Sequence, residues 1–239
     1  MRDDRQRILK SLRRERPPVH VVCGAVAAAF IADVLGAVGA RPVLTHAPDE
    51  AGGLAAGSRA LLVNLGQPDP LRREGALVAA RAARGAGVPW LLDPVLAHAS
   101  PRRMALTREL LALSPAIVKP NRDELRALAE GRDGEAGAGM LARGSGAVTL
   151  TTGRRDLASD GARVEQVGGG HRFMDDMSGF GCALGALAAA MLAVAAPFDA
   201  ALAAAESFAE AGTRAAAGNG PGSFRVAFVD ELYRLGEGS

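Results

Sequence analysis

Short apolar runs alternating with longer segments at helical spacing constrain this chain more than any single motif. Strand-like runs stand at 19–22 (VHVV), 42–47 (PVLTHA), 60–66 (ALLVNLG), 89–95 (PWLLDPV), 116–121 (AIVKPN) and 147–153 (AVTLTTG). Between most of them lie segments with helix periodicity, at 25–40, 69–87, 100–113 and 122–131. Ser100 followed by Pro101 reads as a helix start, with a hydroxyl cap and proline at the first helical position. A helix between two strands carries the chain back over the sheet, so such strands pair in parallel. The pattern predicts an α/β fold with a mostly parallel central sheet flanked by helices. After Gly153 the rhythm changes. DLASDGARVEQVGGG (156–170) has two short arms around SDG, which predicts an antiparallel hairpin at the edge of the sheet. Helices are expected at 181–195, 199–217 and 226–235, with the Gly-rich 218–224 as a connecting loop. No low-complexity break or internal repeat divides the chain. One domain over 1–239 is expected, with 1–17 as an N-terminal helical extension.

Charge and cysteine content exclude several classes of function. A net charge of +2 over 239 residues, without a basic block longer than an Arg pair, gives little electrostatic support to nucleic-acid binding. The 28 basic residues include two lysines, Lys10 and Lys119. Two cysteines, Cys23 and Cys182, make no disulfide framework, and no Cys/His cluster has zinc spacing. The start, MRDDRQRILKSLRRERPPVH, has no signal-peptide core, and the apolar stretch 183–196 is too short to span a bilayer. A cytoplasmic protein that engages no membrane is expected.

The polar residues fall in one place. Asp93 follows WLL, Asn121 follows AIVKP, and Thr152-Gly153 follows AVTLT, each at the carboxyl end of a predicted strand. In an open parallel sheet that edge is where ligands bind. Each residue also has a plainer reading. Asp93 before Pro94 suits a turn, and NRDE (121–124) has the form of a capping box, with Asn121 as cap and Glu124 reaching back. His20 reads as a structural histidine. The stretch SGFGC (178–182) runs straight into an Ala-rich helix. Its glycines can simply turn the chain, or they can leave bare N–H groups at a helix start where an anion binds.

Taken together, these residues resemble the hydroxyethylthiazole kinases of thiamine salvage, a branch of the ribokinase-like three-layer α/β/α fold. The likeness runs from VHVVCGAVAAAFIADVLGAVGARPVLTHAPDE through LLVNLG, GVPWLLDPV, KPNRDE and TTGRRD to SGFGCALGALAAA and GNGPGSF. It implies ATP-dependent phosphorylation of a small heterocyclic alcohol, with Mg2+ as cofactor. Cys182 lies where the family has its cysteine beside the substrate hydroxyl. Asp93 and Glu124 match acidic residues near the triphosphate and magnesium. Lys119, Asn121, Thr152 and Gly181 fall on the ATP side, and Leu44 and Gly179 on the substrate side. The family also implies a homotrimer with active sites between subunits.

Where the sequence departs from the family, it does so mainly beside the substrate. Cys23, Gly24 and Ala25 replace Thr-Asn-Asn, Leu44 replaces methionine, and LAH (96–98) replaces glycines. Lys119 stands for the usual arginine, and Phe180 adds bulk inside the GxG. Loss of a polar arm weakens a pocket's discrimination between heterocycles. Two functions fit: a working kinase of hydroxyethylthiazole or a related alcohol, and a catalytically weak paralogue that binds a nucleotide or heterocycle in a regulatory role.

Overall fold

The structure, a computed structural model, describes residues 2–216 and 220–237. Eight strands form one sheet: β1 (Pro18–Val22), β2 (Arg41–Leu44), β3 (Ala60–Asn64), β4 (Trp90–Asp93), β5 (Ile117–Val118), β6 (Val148–Thr151), β7 (Asp156–Ser159) and β8 (Val164–Val167). Their order is β2-β1-β3-β4-β5-β6-β7-β8. The first six pair in parallel, and β7 and β8 form the expected antiparallel edge. Every residue of β3, β4 and β6 is buried, as a parallel sheet covered on both faces requires.

Helices cover both faces and build two cores. On one side α1 (Arg2–Glu15), α2 (Ala25–Ala37), α9 (Phe180–Leu192), α10 (Pro197–Ala215) and α11 (Pro221–Glu237) enclose a cluster that includes Leu9, Leu12, Phe30 and Phe228. On the other, α3 (Pro48–Ala56), α4 (Pro70–Ala86), α5 (Pro101–Leu111), α6 (Arg122–Leu128) and α7 (Gly134–Ser145) pack around Trp90, Leu92 and Leu106. A short α8 (Phe173–Asp176) precedes α9. Residues Ala183 to Leu192 of α9 are all buried. Alanine and glycine at seven of its 13 positions let this helix sit close to the sheet, α2 and α10 at once.

Several expected boundaries move, for identifiable reasons. The run at 116–121 is a strand only over Ile117–Val118, because Pro120 has no N–H for the ladder; pairing resumes as one bridge from Asn121 to Thr152. β2 stops at Leu44, so Thr45 to Ala47 leave the sheet. The last helix starts at Pro221, a proline in its first turn, which turns 221–224 from loop into helix. Residues 217–219 of the expected helix end and loop lie outside the described residues. Besides the single-turn α8, two helices, α3 and α7, have no counterpart in the sequence reading. Their glycines weaken helix propensity, yet Gly137 has a packing reason: a Cβ there would lie 2.7 Å from the Arg132 carbonyl oxygen.

Candidate active site

The carboxyl ends of the central strands bring three polar side chains together. Asn64 and Asp93 are register partners at the ends of β3 and β4. Asn64 Nδ2 donates to Asp93 Oδ2 at 2.7 Å, while Lys119 Nζ lies 3.1 Å from Asp93 Oδ1. All three are buried. Such a pair survives burial because each charge has a partner and a hydrogen bond. Burial pushes the Asp93 carboxyl up to about 6, against the opposing pull of Lys119. Burial alone would lower the Lys119 ammonium, but the Asp93 and Glu124 carboxylates outweigh it and raise it. Gly185, one turn into α9, makes this possible. A Cβ there would meet Lys119 Cε at 3.1 Å and Asp93 Oδ2 at 3.3 Å. Neither Asn64 nor Gly185 was singled out in the sequence. The signal for Asn64 was a polar residue closing an otherwise apolar strand; Gly185 had none.

Asn121 and Glu124 are a capping box as well as neighbours of the site. Asn121 Oδ1 accepts from Glu124 N at 2.9 Å, and Glu124 Oε2 accepts from Asn121 N at 2.8 Å. The other oxygen, Oε1, accepts from Leu96 N at 2.7 Å. Leu96 holds a left-handed φ of 57°, in the place where the resemblance expects glycines. Both Glu124 oxygens are therefore engaged by backbone, and the buried carboxylate lies near enough to Asp93 to act on it electrostatically. Among the described residues, no three His, Cys, Asp or Glu side chains converge as a metal cage. Magnesium does not require one: it keeps several waters and is held by one or two carboxylates together with phosphate oxygens. The donor set here fits that mode.

The mouth of α9 answers why SGFGC carries so little side chain. Gly179 is its N-cap, at φ 97°, a conformation that costs other residues dearly. No side chain caps this end, and its first backbone bond runs from Ala183 N to Gly179 O at 2.8 Å. The N–H groups of Phe180, Gly181 and Cys182 are left open. Phe180 turns its bulk mainly into the core. Its side chain is buried and stacks among Phe30, Phe208, Phe224 and Phe228, with centroids 4.8 to 6.1 Å away. Cys182 is half-buried beside Asn64, Asp93 and Lys119. Burial, then the Asp93 charge, pushes its thiol up to about 11. A helix N-terminus can lower a cysteine pKa, but here desolvation wins.

Two cavities flank this centre. The larger, about 470 Å³, is lined by Asn121, Thr152, Gly153, Asp156 and Gly181, among others. It unites three residues assigned to the ATP side and adds Asp156, which sequence reasoning passed over. Burial lifts that carboxyl to about 6, while Gly153 N donates to its Oδ1 at 3.1 Å. The smaller cavity, about 230 Å³, holds Leu44, Cys23, Ala25 and Arg72. Leu44 is 38% exposed on the edge strand. Cys23 and Cys182 pack into the same apolar cluster, so this cavity adjoins the centre. His20 is buried with Nε2 3.2 Å from Thr45 O, and its Nδ1 has no hydrogen-bond partner among the described residues.

The sequence profile of the hydroxyethylthiazole kinase family matches residues 9–238. The chain belongs to this family. It is 41% identical to a hydroxyethylthiazole kinase of Cereibacter sphaeroides over 95% of this chain and 92% of that protein. The solved hydroxyethylthiazole kinase structure from Pyrococcus horikoshii OT3 superposes with a TM-score of 0.92 at 33% identity, covering 96% of this chain and 92% of that one. A ribokinase-like superfamily protein from Enterococcus faecalis V583 shares the fold alone, with a TM-score of 0.66 at 13% identity, covering 96% and 94%. The fold is thus ribokinase-like. Among the described residues no helix is long and apolar enough to cross a membrane.

Proposed function

We propose that the protein transfers the γ-phosphate of ATP to the primary alcohol of 4-methyl-5-(2-hydroxyethyl)thiazole or a close heterocyclic relative, as part of thiamine salvage in the cytoplasm. The observation that carries this reading is the buried Asn64–Asp93–Lys119 set pressed against the uncapped start of α9. Phosphoryl transfer asks mainly for positioning and charge neutralisation. The open N–H groups of 180–182 offer donors aimed where negative charge gathers, and the helix dipole adds to them. Lys119 supplies a fixed positive charge, though as a point rather than a bidentate fork. Thr152, Asn121 and Gly181 line the nucleotide cavity. Magnesium, when bound, would neutralise phosphate charge, and Asp93 and Glu124 are the residues that would hold its hydrated shell.

Cys182 orients the alcohol rather than deprotonating it. A thiol raised to about 11 is protonated at neutral pH and can accept or donate one hydrogen bond to a hydroxyl. Leu44 and Gly179 border the alcohol. The substrate cavity is small, at about 230 Å³, and Leu44 in its lining and Val26 near it are exposed at 38% and 67%. A second copy covering them, in a homotrimer with sites between subunits, would complete the pocket.

The test is ADP release by the purified protein with Mg-ATP and the thiazole, with Asp93→Ala as control. Thiazole-dependent turnover abolished in the control supports the reading. Nucleotide binding without turnover against the thiazole and a panel of alcohols would replace it with a regulatory role.

A further inference from the structure

Beside the candidate active site lies a cavity of about 480 Å³, between the β3–α4 loop and the start of α5. Gln67, Asp69, Arg72, Arg73, Arg102 and Arg103 line it. Four guanidinium groups face one carboxylate, and that carboxylate is already spent. Asp69 pairs with Arg72 and accepts from Arg72 N at 2.8 Å. Arg103 is also engaged, donating to Leu65 O at 2.8 Å and Val95 O at 3.0 Å. Arg73 and Arg102 have neither an ion pair nor a side-chain hydrogen bond among the described residues. Arg73 Nε is moreover shut off from solvent with no acceptor. A high arginine content explains solvated guanidinium groups on a surface, but not a buried nitrogen left unpaired.

Two other features have the same sign. Helices α4 and α5 both begin at this cavity, capped by Asp69 and Ser100, so their positive ends converge on it. Gln67 Oε1 accepts from Val26 N at 3.2 Å, which leaves its amide with donors alone to offer.

We propose that this cavity is a second anion site, taking a small phosphate-bearing ligand with two or more negative charges: a phosphomonoester or a diphosphate. None of Asp93, Lys119, Thr152 or Cys182 lines it; Arg72 alone is shared with the smaller cavity, so the site lies apart from the transfer centre and does not rest on the phosphoryl-transfer reading. Arg103 links the two. The carbonyls it holds belong to the residues one after Asn64 and two after Asp93, so an anion that draws on Arg103 acts on the loops that carry the centre.

Calorimetric titration of the full chain with inorganic pyrophosphate, without magnesium, tests this, with the titration repeated in saturating non-hydrolysable ATP analogue. The expected result is one pyrophosphate per chain whether or not the analogue is present. Arg73→Gln/Arg102→Gln should weaken it at least tenfold with analogue affinity unchanged. Gln67→Glu, which sets a carboxylate at the rim, should weaken it independently. Repeating the series with a phosphomonoester distinguishes the two ligand types. Pyrophosphate affinity unchanged in both variants, or pyrophosphate displaced by the analogue, would overturn the proposal.

Discussion

Replacing Lys119 with methionine removes the charge that keeps Asp93 ionised in a buried place, and the cost should depend on pH in a calculable way. In the intact protein the Asp93 pKa rises from the ordinary 3.8 to about 6. A raised carboxyl pKa means the folded chain holds the proton more tightly than the unfolded one. Its contribution to stability is complete below 3.8 and is lost as pH rises to 6. Above 6 the loss is constant, at roughly 3 kcal/mol from about 1.36 kcal/mol per pKa unit. Without Lys119 the carboxyl stays protonated to higher pH, so the loss keeps growing. Relative to wild type, Lys119→Met should cost little at pH 6, more at pH 7, and on the order of 3 kcal/mol at pH 8. That last figure meets the roughly 3–5 kcal/mol expected on breaking a buried pair. Urea unfolding at the three pH values measures it, and Asp93→Asn/Lys119→Met should flatten the dependence. A penalty independent of pH would refute the assignment of Asp93 as the group that responds.

Activity should track the same carboxyl. kcat/KM is expected to climb as pH rises through about 6, where Asp93 ionises. Asp156, also lifted to about 6, could imitate this limb, so the limb must persist in Asp156→Asn. Cys182→Ala should lower kcat by about tenfold to a hundredfold, at or below the roughly 10²- to 10⁴-fold of a lost general base, with nucleotide affinity kept. A larger fall, together with a wild-type limb near pH 11, would restore the thiol as base. Gly185→Ala should gain up to about 1 kcal/mol of helix propensity and yet lose at least tenfold in kcat, because its methyl would press on Lys119 and Asp93. Unchanged turnover would show that the pair tolerates displacement.

The sheet was legible because parallel strands buried on both faces must be written as apolar runs, and β3 and β4 are. The helices α3 and α7 were not, since their glycines answer to packing that no local pattern records. At the site, the residues at strand ends were visible individually, but their partnership was not. Asn64 and Asp93 are 29 positions apart and meet only through register. The bulk of Phe180 was visible and its direction was not: a helix start can aim a side chain into the core while its N–H faces the crevice. Glu124 shows a different limit. The structure shows it as a cap, and a carboxylate has lone pairs enough for the proposed second role beside the phosphates.

The substrate side shows how a lost side chain can be replaced in volume without being replaced in chemistry. Gly24, the N-cap of α2, stands where the resemblance implies a polar residue, and a Cβ there would meet Gln67 Oε1 at 2.7 Å and its Cβ and Cγ at 2.9 Å. Gln67 thus fills the space that a side chain at 24 would take, and it accepts from Val26 N, a donor that a cap would otherwise bind. Gly24→Asn alone should therefore overpack, at a cost of about 1–3 kcal/mol, and leave KM for the thiazole no better. Paired with Gln67→Ala it should fit, since asparagine caps a helix well and can take Val26 N–H with its carbonyl, leaving its amide to donate. The double variant is expected to lower KM for the thiazole severalfold with kcat little changed, read from steady-state kinetics beside both single variants. Equal stability and KM in the single Gly24→Asn variant would mean that Gln67 yields freely, and that the altered 23–25 segment does not set the choice of alcohol.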